Sequence, residues 1–99
     1  MTVQQIEYAE KHQQEMIALV RAVDAMKRGN QDETLRWGQR LRAATDAKMR
    51  LVVHGMNIAD ADAARVAAES VFEQEHPGEY QAARVFMYTL KARMGQFTG

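Results

Sequence analysis

The chain contains no cysteine, one proline, one tryptophan and one serine, and its thirteen Lys and Arg are cancelled by thirteen Asp and Glu. Without cysteine there is no disulfide framework, no thiolate nucleophile and no cysteine-ligated zinc, a usage that suits a reducing cytoplasm. The lone Ser70 falls mid-helix, and the spacing supplies no base to activate it. Glycines are dispersed, so no phosphate-cradling loop is present. No apolar run approaches the roughly 18 residues of a membrane span, and "MTVQQIEYAEKHQQEM" lacks the basic and apolar regions of a secretory leader. A soluble, cytoplasmic chain without cofactor or metal is the expectation.

Large aliphatics are also scarce: Ile, Leu, Val and Phe number nineteen in 99 residues. With high net charge that scarcity would indicate disorder, but here the net charge is zero. Sixteen Ala and seven Met make up the apolar fraction instead, a composition that suits an ordered helical domain with a thin core.

Helix punctuation is frequent. Thr2 and Gln5 have capping-box spacing, and Ile6, Ala9, Gln13, Met16, Val20 and Val23 recur at helical intervals toward Gly29. On this reading Glu7, Lys11 and Glu15 mark the outer side of the first helix. Asn30 with Glu33 repeats the capping signal, and Trp37, Leu41, Ala44, Leu51 and Val52 share a face before Gly55. Asp60 reads as the cap of a third helix with Ala61, Ala64, Ala67, Ala68, Val71 and Phe72 inward, and Pro77 suits the first turn of a fourth. The chain is thus expected to be a single all-α domain, 1–99, a small helical bundle of two αα-hairpins with helices at about 3–28, 31–54, 61–75 and 77–96.

Charge is uneven along this framework. Residues 36–50 carry a net +4, and residues 57–79 a net −5. The two blocks can face one another within the bundle or across a dimer. Alternatively Arg36, Arg40 and Arg50, which share a side, can present guanidinium groups to nucleic-acid phosphate. Two acid–histidine spacings invite a metal reading, Glu73 with His76 and His12 with Glu15. Each stands alone where a dinuclear carboxylate site needs such pairs twice.

The fourth segment is the unusual one. Tyr80, Ala83, Met87, Leu90, Met94 and Phe97 form one seam, while Val85, Tyr88, Thr89 and Ala92 project from the opposite side, with Phe86 at the seam's edge. A helix uncharged on two sides is sandwiched, either centrally within its own chain or between this chain and another. In the second case Val85, Phe86, Tyr88, Thr89 and Ala92 form a protein interface anchored by Tyr88. The expected function is a small non-enzymatic protein–protein interaction module, homodimeric, of the class that includes adaptors, phage-encoded inhibitors and regulatory subunits. The alternative is a nucleic-acid-binding regulator using the basic second helix.

Overall fold

The computed structural model describes residues 1–98, with side chains through Gly95, and forms four helices: α1 (Val3–Lys27), α2 (Gln31–Val53), α3 (Ile58–Glu75) and α4 (Glu79–Thr98). The side chain of Phe97, expected to close the α4 seam, lies outside the described residues. No described helix is long and apolar enough to cross a membrane.

Local chemistry sets the first boundaries where the spacing placed them. The Gln5 N–H donates to Thr2 Oγ1 at 3.1 Å, and the Thr2 N–H donates to Gln5 Oε1 at 2.9 Å, so each satisfies a donor that the helix start leaves free. At the other end Gly29 takes φ +72°, which lets the Asn30 N–H reach back to the Ala25 carbonyl. Asn30 then caps α2 by accepting from the Glu33 N–H at 3.1 Å. Gly55, at φ +106°, repeats the device after α2, and Met56 beyond it is buried.

The two later boundaries differ from expectation. Asn57, not Asp60, caps α3: its backbone is extended and its Oδ1 accepts from the Ala59 N–H at 2.7 Å. Burial of Met56 places the cap directly after the anchored residue. Asp60 sits inside the first turn, where its charge suits the positive end of the helix dipole. α4 begins at Glu79, two residues after Pro77, because Gly78 adopts φ +74° and completes a turn first. The Glu73 carboxylate accepts from the Gly78 N–H at 3.0 Å, and the His76 ring stacks on Phe72 at 4.7 Å, so both are used in shaping this junction.

The sandwiched helix is α1, and α2, α3 and α4 each pack chiefly against it. At 100° per residue, Glu15, Ala18, Ala22 and Ala25 form a second α1 stripe beside the Met16–Val23 one. Ala18, Ala22 and Ala25 are buried, and their small side chains let α2 approach closely. Trp37, half-buried, lines the cleft between these helices with Ile17, Ala18 and Ala44. On the other side Met16 is wholly enclosed with Ala68 and Phe72 of α3, and Ala9, Ile17, Val20 and Tyr80 close around them. The contacts of α4 advance along α1: Tyr80 lies beside His12, Ala83 borders a shallow cleft with Val20 and Val23, and Phe86 lies under the Lys27 ammonium.

The burial pattern predicts an asymmetric response to trimming. Met16→Ala is expected to cost about 2–5 kcal/mol, whereas Met49→Ala, more than half exposed on α2, should stay within about 0.5 kcal/mol. Urea unfolding of both variants tests this; equal losses would mean that the core lies elsewhere.

Candidate protein interface and a buried polar cluster

The most enclosed polar side chain is His12, at 3% exposure. Its Nδ1 is 3.1 Å from Glu15 Oε1 on the next turn of α1, and its Nε2 is 3.1 Å from Glu69 Oε2 on α3. From α2, Lys48 Nζ lies 2.7 Å from Glu15 Oε1 and 3.0 Å from His12 Nδ1, and the Thr45 hydroxyl donates to Glu15. Arg65 donates to Glu69 at 2.7 Å, and Tyr80 of α4 meets the imidazole edge-on at 6.2 Å.

Each ring nitrogen therefore has a partner: Nε2 faces the Glu69 carboxylate, and Nδ1 lies between the Glu15 carboxylate and the Lys48 ammonium. No buried side-chain nitrogen or oxygen among the described residues lacks a partner. Burial pushes the Glu15 carboxyl upward, but hydrogen bonds from His12, Lys48 and Thr45, with the charge of Lys48, outweigh it and hold the group at about 2. Glu15 is therefore not on an outer side of α1 as expected; it sits where α2 packs. Among the described residues no group of three His, Asp or Glu is placed to hold a metal.

The expected interface residues fall on α4 as follows. Val85 and Tyr88 are exposed at 53% and 64%, Thr89 and Ala92 are exposed, and Phe86 is half-buried beneath Lys27. The opposite seam is shallow: Ala83 is buried, Tyr80, Met87 and Leu90 are half-buried, and Met94 is exposed. Among the described residues nothing covers the Val85–Ala92 side, and the helix that the others surround is not α4. That position belongs to α1.

Among the described residues the basic and acidic blocks meet only at the His12 cluster, where Lys48 and Glu69 lie against the two ring nitrogens; elsewhere they do not face one another as the sequence allowed. α2 and α3 each pack on α1 rather than along one another, and no ion pair among the described residues joins them. Arg36 and Arg50 are exposed, and Arg40 lies over the Trp37 ring at 4.6 Å.

The sequence pairs His12 with Glu15, but the rest of the cluster escaped it because Glu69 is 57 residues from His12 and Lys48 comes from a third helix. A local signal did exist: Glu15 lies in register with the alanines that seat α2. Comparison of the chain with known protein families, with curated proteins and with solved structures gave no match.

Two stability measurements follow from the cluster. Lys48→Met leaves Glu15 without its cation and should cost about 2–4 kcal/mol in chemical unfolding; a neutral result would show that Lys48 is solvated. Because the folded carboxyl of Glu15 lies below its ordinary 4.5, its contribution is present above that pH and is lost as pH falls toward about 2. Unfolding free energies from pH 6 down to 2 should therefore fall less steeply in Glu15→Gln than in the wild type, by about 3 kcal/mol over the range. Parallel curves would contradict this assignment.

Proposed function

We propose that this chain is a non-enzymatic protein-interaction module that works in the cytoplasm by placing the outer face of α4 against another polypeptide, as an adaptor or inhibitor or as a homodimer. The observation that carries the reading is the exposure of Val85 and Tyr88, with Thr89 and Ala92 continuing an uncharged stripe on a helix whose other side packs on α1. Tyr88 is the natural anchor, since a tyrosine contributes broad contact area at low entropic cost. The polar cluster supports the same reading: buried His12 and half-buried Glu15, Lys48 and Glu69 are engaged with one another in holding helices together.

A second reading has its own observation. Arg36 and Arg50 are exposed on α2 and have no acidic partner among the described residues, beside the Arg40–Trp37 stack, which suits a phosphate backbone. The zero net charge and the acidic α3 weigh against it.

A photo-crosslinking side chain placed at Tyr88 separates the two. In cells that make the chain, it should yield a covalent adduct with a polypeptide, while the same group at Arg36 should yield none. Binding to generic DNA or RNA that weakens with a log–log salt slope of about −3, with no adduct at position 88, would overturn the protein-interaction reading in favour of the arginine surface.

A further inference from the structure

The charges bordering the α4 face narrow the choice of occupant. Arg84 and Lys91 flank the Val85–Ala92 stripe on one side and Arg93 on the other, and residues 80–95 include no acidic residue. Two copies of this face laid against each other would set those cations against their own images, which is unfavourable at close range. The natural complement is therefore an uncharged helical face with an acidic border.

This chain carries such a face. On α3 the side turned away from α1 presents Ala59, Ala63, Val66 and Ser70, all exposed, and Val66 is exposed at 52%. Asp62, paired with Arg65 at 2.8 Å, and Glu73 border it on one side and Asp60 on the other, so the border is acidic on balance. The side chains around Val66 are small, so a helix bearing Val85 and Tyr88 can approach closely, its larger side chains settling between the alanines. The opposite charges of the two borders set the pairing, and like-charge repulsion disfavours both α3 on α3 and α4 on α4.

Resting on the reading of α4 as a docking face, we infer that its occupant is the α3 face of a second copy of this chain, the two copies exchanging α4 on α3 reciprocally about a two-fold axis. Each protomer then gives one basic and one acidic face, and the contact is made twice. This doubles the buried area, which matters because one pair of helix faces falls short of the roughly 800 Å² per partner of a stable interface.

The test is sedimentation equilibrium of the full chain and of Tyr88→Asp and Val66→Asp, alone and mixed. Both positions are exposed in a single chain, so far-UV circular dichroism should show both variants folded; Tyr88→Ala and Val66→Ala serve if either is not. The wild type should reach dimer mass, and each variant alone should associate about tenfold or more weakly, because both reciprocal contacts are broken. Mixing the two variants should recover dimer mass in part, since the intact α4 of the Val66→Asp chain can meet the intact α3 of the Tyr88→Asp chain. Loss of dimer in Tyr88→Asp with none in Val66→Asp would overturn the α3 seat while leaving α4 as an interface. Failure of the mixture to recover association would likewise overturn the exchange. A wild type that stays monomeric at all concentrations would overturn the second copy as occupant, and a position-88 adduct with a different protein would show that the broader reading survives it.

Discussion

His12 is where the four helices meet. Its ring belongs to α1, its two nitrogens lie against carboxylates from α1 and α3, the ammonium from α2 shares one of those carboxylates, and the Tyr80 ring of α4 stands against its edge. A histidine at 3% exposure is costly to bury unless every polar atom around it is satisfied, and this one is. Register follows from it. With Glu15 fixed on Thr45 and Lys48, α2 cannot slide along the alanine side of α1, and with Glu69 fixed on His12, α3 cannot slide along the methionine side. Apolar contact alone would specify less here, since much of the buried surface is alanine.

Covering α1 on most of its circumference has consequences for the other helices. In a chain of 99 residues, three helices devoted to one hub leave each with an outward face, and the large apolar residues there are numerous: Val53, Ile58, Val66, Val85 and Tyr88 are all more than half exposed. Scattered singly, such residues need no explanation, but Val85 and Tyr88 are one turn apart on a face without charge. The same geometry lets the basic helix and the acidic one approach only at His12, since each packs chiefly on the hub. Charge that does not cancel inside the chain is then free to choose a partner outside it.

Much of this architecture is written in short-range chemistry. Thr2 with Gln5, Asn30 with Glu33, Gly29 and Gly55 mark boundaries because each acts within a few residues of itself. Asp60 misled for a related reason: Asn and Asp are both good caps, and the choice of Asn57 depends on the burial of Met56, which is a tertiary fact. The two-sidedness of α1 was hidden because its second stripe opens with Glu7, Lys11 and Glu15, which resemble a solvated face, and continues in alanine, which resembles neither core nor surface. The two-sidedness of α4 was visible, since its second stripe contains a valine and a tyrosine. Whether such a stripe is covered by its own chain depends on the arrangement of the other three helices, which local spacing does not encode.

α1 is covered within the chain, whereas α4 is proposed to be completed by another chain, and hydrogen exchange distinguishes the two directly. Backbone amides of α1 around His12 and Met16 should exchange at a rate independent of protein concentration in the range where both species are folded. Those of α4 from Val85 to Ala92 should become more protected as concentration rises through the association range. Protection of α4 that equals that of α1 and does not change with concentration would contradict the claim that its second face is completed by another chain.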